Sequence, residues 1–150
     1  MTHREKAIEY FRAGYNCAQA VFAAFCDVTG YSEKEALMLA SSFGGGMGRM
    51  RETCGACSAM FMVAGVLKGY TDISTDAPKK EHYERIQKMA AEFKREHGTI
   101  TCRELLVTLK PDSKPTPSAR TEEYYRVRPC ARFIYEMARL TEEELNRGKE

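Results

Sequence analysis

Apolar positions recur at helical spacing through most of this chain, and almost every such stretch is bounded by a capping or breaking residue. Ala7, Ile8 and Phe11 form the first apolar face, which stops at Gly14. From Cys17 onward, Val21, Ala24, Phe25 and Val28 fall on one face of a second helix that Gly30 ends, with Cys26 near its far end. Ser32 and Glu35 make a capping box, opening a helix whose Ala36, Leu39, Ala40 and Phe43 should face inward before Gly44-Gly45-Gly46 ends it. Cys54 to Leu67 is apolar nearly all round, as expected of a helix buried at the centre of a bundle.

Pro78 suits the first turn of a long amphipathic helix carrying Tyr83, Ile86, Ala90 and Phe93 and closing at His97-Gly98. Thr101 and Glu104 read as a further capping box before a short helix. The segment from Pro111 to Arg120 reads as the least ordered loop. A last helix begins near Pro129, with Cys130, Phe133, Ile134, Met137 and Leu140 inward, and runs into the charged tail TEEELNRGKE. No internal repeat, heptad run or alternating strand pattern occurs. The expectation is an all-α fold, a single-domain helical bundle around a buried central helix, spanning residues 1–150.

Charge narrows the function. Lys and Arg total 23 against 21 Asp and Glu, with the signs interspersed, so nothing calls for nucleic acid. The apolar run is too short to insert into a membrane, and no secretory signal is visible at the amino terminus, which predicts a cytoplasmic protein. The apolar central helix and many aromatics leave surface that a homodimer could cover.

Six cysteines are too few for a disulfide scaffold of this length, and a reducing cytoplasm would keep them free. Four share one local position. Asn16 precedes Cys17, Thr53 precedes Cys54, Thr101 precedes Cys102 and Pro129 precedes Cys130, so each thiol falls in a first helical turn. There, unpaired N–H groups and the positive end of the macrodipole favour a thiolate, the form that attacks disulfides and binds metals. Cys26 lacks this placement and reads as core filler.

Cys54 and Cys57 form a CxxC whose sulfurs lie about one turn apart, making them the preferred catalytic pair if the chemistry is thiol exchange. A thioredoxin-like context is missing, and Cys102 and Cys130 do not supply the second CxxC of a zinc ribbon. A site of Cys17, Cys54, Cys102 and Cys130 would therefore be assembled from dispersed helices. Its softness suits an iron–sulfur cluster, zinc or copper, and disulfide exchange without metal stays open. The segment Phe43–Arg51 lacks the Gly-Lys-Ser/Thr ending of a phosphate loop and does not follow a strand. Its glycines would let the backbone pass close to the cysteines, with Arg49 and Arg51 stabilising thiolates. His3, His82 and His97 stand isolated, and Glu122-Glu123 and Glu142-Glu143-Glu144 read as solvated faces.

Gly14-Tyr-Asn-Cys17-Ala-Gln, Phe43-Gly-Gly-Gly-Met-Gly, Thr53-Cys-Gly-Ala56, His97-Gly-Thr-Ile-Thr-Cys102-Arg-Glu-Leu and Arg128-Pro-Cys130 together resemble the C_GCAxxG_C_C family over residues 14 to 135. The resemblance implies a redox-active protein whose four characteristic cysteines fall on Cys17, Cys54, Cys102 and Cys130. It also implies a redox partner or a membrane transporter as company, hence a second reading as a soft-metal carrier or adaptor. A non-catalytic helical interaction module is the third. The cysteine layout is similar, too, to a domain associated with an iron–sulfur cluster in split-Soret cytochromes. Two departures stand out: Ala59 occupies the family's motif glycine, and Cys57 is an additional thiol.

Overall fold

In the computed structural model, which describes residues 1–147, the chain is all-α. The last three residues of the charged tail, and that part of the 1–150 span, lie outside the described residues. The helices are α1 (His3–Arg12), α2 (Cys17–Ala23), α3 (Cys26–Thr29), α4 (Glu33–Ala40), α5 (Gly55–Lys68), α6 (Ala77–His97), α7 (Cys102–Leu105), α8 (Glu122–Val127) and α9 (Cys130–Asn146). Among the described residues no helix is long and apolar enough to cross a membrane.

Capping explains several of the starts. The Asn16 side chain accepts from the Gln19 N–H at 2.8 Å while Gln19 accepts from the Asn16 N–H at 3.0 Å. Ser32 and Glu35 repeat this box on α4, and Thr2 with Glu5 does so on α1. At α7 the expected box is absent. Thr101 is instead held in an isolated antiparallel bridge with Thr53, and its side chain caps nothing.

Two helices, not one, occupy the centre. The start of α5 is buried from Gly55 to Met60, as expected, but its far end is not, since Val66 and Leu67 are exposed. Helix α2 is buried at Ala18, Ala20, Val21, Phe22 and Ala23 and packs against α1, α4, α5 and α9. Small residues allow this closeness. A Cβ on Gly55 would lie 2.6 Å from the Phe43 carbonyl and 2.7 Å from Cys17 Sγ, so only glycine lets α5 begin against α2.

Other side chains depart from the apolar pattern. The expected second helix breaks at Ala24-Phe25, which places Cys26 at the start of α3 rather than near a helix end. Leu39 is exposed, because α4 turns Ala36 and Ala40 inward. Tyr83 also faces out, pairing with Tyr70, while His82 takes the inward position on α6. Glu144 is buried rather than solvated, held by Lys68 at 3.6 Å and Arg85 at 3.4 Å; Glu142 holds Arg4 at 3.2 Å. Glu122 and Glu123 are exposed as expected.

Replacing Gly55 by Ala should destabilise the protein by about 1–3 kcal/mol through overpacking. Gly65 in the same helix has open space, so Gly65→Ala should be neutral or stabilise by about 0.5–1 kcal/mol. Urea midpoints of the two variants check this, and equal midpoints would contradict the close approach at Gly55.

Candidate functional site

Four of the helices begin at the cysteines singled out by the sequence. Cys17, Cys102 and Cys130 are the first residues of α2, α7 and α9, and Cys54 is the N-cap of α5. All four line one cavity of about 260 Å³. Cys57 does not; it points into the core and is fully buried. Cys26 lies at a separate surface hollow beside Tyr10 and Glu33.

The segments before α5 and α7 are tied side by side. The Cys54 N–H donates to the Ile100 carbonyl at 2.7 Å, the Cys102 N–H to Glu52 at 2.6 Å, and the Arg103 N–H to Arg51 at 3.1 Å. This short ladder brings two distant cysteines to the same wall of the cavity. The glycine-rich loop supplies another wall. Gly45, Gly46, Met47, Gly48 and Arg49 all have positive φ, between 58° and 72°, a left-handed turn in which Met47 and Arg49 each carry strain of about 1–2 kcal/mol. Its tight course brings the backbone against the sulfurs: a Cβ on Gly46 would lie 2.6 Å from Cys102 Cβ. The backbone N–H groups of Gly45, Ala56 and Ala18 act on Cys17 against the effect of its burial, favouring the thiolate.

Among the residues lining the cavity are four arginines, 49, 51, 120 and 128, and no Asp or Glu. They do different work. Arg49 spends its donors on the segment 111–120, bonding the Lys114 and Thr116 carbonyls and Ser118 Oγ rather than a sulfur. Arg120 donates to the Phe11 and Tyr15 carbonyls while lying over the Phe11 and Tyr124 rings. The segment 111–120 has no regular structure but is no loose loop. These arginines tether it as a strap, whose Pro115, Pro117 and Ser118 line the cavity. Arg51 alone turns to a cysteine, with Nη1 3.7 Å from Cys102 Sγ.

Burial favours the neutral thiol at Cys17, Cys54 and Cys130. Burial pushes Cys130 up to about 12, with the neighbouring Cys17 adding to the shift. Burial likewise raises Cys54 well above the usual thiol range and raises Cys17, each reinforced by another cysteine of the cavity. The helix-start effect is thus outweighed by desolvation. A cation reverses this balance, since a coordinating thiol is deprotonated outright. Burial raises Cys57 to about 12 as well.

The cavity's donor set fits a metal centre on two observations. Four soft sulfurs face one space, and Arg51 Nη2 is buried there with no partner, an orphan donor beside them. Among the described residues no three cysteine sulfurs lie within 4.8 Å of one another. A single tetrahedral metal with bonds of about 2.3 Å would need its sulfurs about 3.8 Å apart.

The histidines are not all isolated. His97 Nε2 lies 2.5 Å from Glu136 and 3.9 Å from Glu96, and its ring packs on Phe93 and Phe133. This joins the end of α6 to α9, with Arg132 sharing Glu136 at 3.8 Å. The sequence reading missed it because the partner lies on another helix.

A helical protein whose dispersed cysteines share one cavity belongs to the class of cysteine-centred α-helical proteins. More particularly, the chain belongs to the C_GCAxxG_C_C family, whose model, described as "Putative redox-active protein (C_GCAxxG_C_C)", matches residues 15–144. No curated protein and no solved structure matches the chain.

Unfolded thiols lose their protons near pH 8.5, whereas Cys57 and the half-buried Cys130 keep theirs until about 12. Above pH 8.5 or so the unfolded chain therefore binds fewer protons than the folded one, and stability falls as pH rises. The reduced, metal-free protein should unfold at lower urea at pH 10 than at pH 8. Cys57→Ala should flatten that slope, whatever it does to the baseline; an unchanged slope would contradict the shift.

Proposed function

We propose that the protein is a redox protein whose Cys17, Cys54, Cys102 and Cys130 hold an iron–sulfur cluster. The observation that carries this reading is the meeting of these four cysteines, from four helix starts, at one cavity lined by arginines and by no carboxylate. Such a cluster, when bound, takes up and releases single electrons. The chain's own residues do the rest. The cysteine sulfurs provide ligands, the backbone N–H groups around Cys17 favour its thiolate, and the positive lining offsets the charge of thiolates. The apolar wall of Phe11, Ile134 and Leu106, with the strap above it, limits water in the cavity. Zinc and copper suit the same sulfurs by softness and are outcomes of the test.

Thiol–disulfide exchange is the other chemistry open to these residues. The CxxC pair has Cys54 on the cavity and Cys57 in the core, so exchange through this pair requires Cys57 to leave its packed position. That cost favours the four-cysteine ligand set.

Anaerobic reconstitution with iron and sulfide should give visible charge-transfer bands with iron and sulfide in fixed ratio to protein. Ser at position 17, 54, 102 or 130 should each reduce cluster retention at least tenfold, while Cys26→Ser and Cys57→Ala should retain it. Stoichiometric zinc or copper in a colourless protein would replace the cluster by a single-metal site. Metal-free protein whose thiols oxidise reversibly, with Cys57 required, would overturn the reading in favour of exchange.

A further inference from the structure

Arg51 stands apart from the other cations among the described residues. It is only 2% exposed, yet sits at the cavity rather than in an ion pair. Each of its three nitrogens meets something different. Nε donates to the Asp112 carbonyl of the strap at 2.8 Å, Nη1 approaches Cys102 Sγ at 3.7 Å, and Nη2 is buried with no partner. Its backbone is also held in a left-handed conformation, φ 63°, by the glycine-rich turn before it and the bridge after it. A buried guanidinium with an unused N–H is costly to maintain, and strain of this kind persists where the surroundings over-determine it.

Nothing among the described residues answers Nη2. A mononuclear metal held by the cysteines would not answer it either, because the only negative atoms it brings together are the cysteine sulfurs. An iron–sulfur cluster carries further acceptors, its inorganic sulfides. We infer that Arg51 recognises the bound group itself, donating Nη1 to Cys102 and Nη2 to an acceptor atom of the cluster, and so biases the cavity toward a sulfide-bearing centre over a single metal ion. This rests on the four-cysteine reading above. Through Nε the same guanidinium holds the strap over the site, so recognition of the group and closure of the strap share one side chain.

The test compares two loadings of the full chain, iron with sulfide and cobalt(II) alone, in wild type, Arg51→Lys and Arg51→Met. Retention against a chelator is read from the visible bands of each. A charge-assisted hydrogen bond contributes about 1.5–3 kcal/mol, so Arg51→Met should lose the cluster roughly tenfold to a hundredfold more readily. Cobalt(II), which offers Nη2 no acceptor, should be lost no more than about threefold faster. Arg51→Lys keeps the charge but not the fork, and should fall between wild type and Arg51→Met for the cluster. Equal losses of cluster and cobalt would make Arg51 merely structural and overturn the inference, as would unchanged cluster retention, while the four-cysteine reading survived. Should Arg51→Met fail to fold, the ratio of the two losses in Arg51→Lys decides by the same criterion. A Cys17→Ser control separates the two ideas: loading that is absent in wild type, or indifferent to that control, would overturn both.

Discussion

Three backbone hydrogen bonds between residues 51–54 and 100–103 hold the cysteine cavity together. They are the only strand-like pairing among the described residues, a single bridge at Thr53 and Thr101 in an otherwise helical protein. Each side of the bridge leads directly into a cysteine and then a helix. The pairing therefore sets the distance between Cys54 and Cys102, and it also fixes Arg51, whose carbonyl takes part. Short as it is, this ladder satisfies backbone groups that would otherwise be lost on burial.

Around that fixed pair the molecule tolerates unusual backbone. Five consecutive residues in the left-handed region are far from the helical default, and non-glycine members of the run cost free energy. What holds them is anchoring elsewhere: Arg49 in the strap, and the Gly45 and Gly46 carbonyls accepting from the Arg51 and Glu52 N–H groups. Strain gathered beside a set of reactive side chains is consistent with a site whose geometry matters more than its contribution to stability. Burial favours the neutral thiols of Cys17, Cys54 and Cys130, so binding of a cation by them would release protons.

The helix starts and their cysteines were legible in the chain because capping is local: Asn16 with Gln19 and Ser32 with Glu35 act within one turn. The same local rule failed at Thr101, where a distant strand segment claimed the backbone first. Helix faces were less secure, since a rotation of one residue exchanged Tyr83 for His82. The tail's Glu144 read as solvent-facing because its partners, Lys68 and Arg85, lie far away in sequence. Likewise, no signal along the chain linked His97 to Glu136.

By itself the sequence determined the all-α class, most helix starts, the four cysteines that begin helices and the family to which they belong, because periodicity, caps and motif spacing act over a few residues. Only the tertiary structure decided which sulfurs share a cavity. It separated Cys57 from that group, divided the arginines between strap and sulfur, and turned a seemingly loose loop into the cover of the site. These outcomes depend on close approaches such as Gly55 against Cys17 and Gly46 against Cys102, and a distance across the fold is not written in the spacing of residues along the chain.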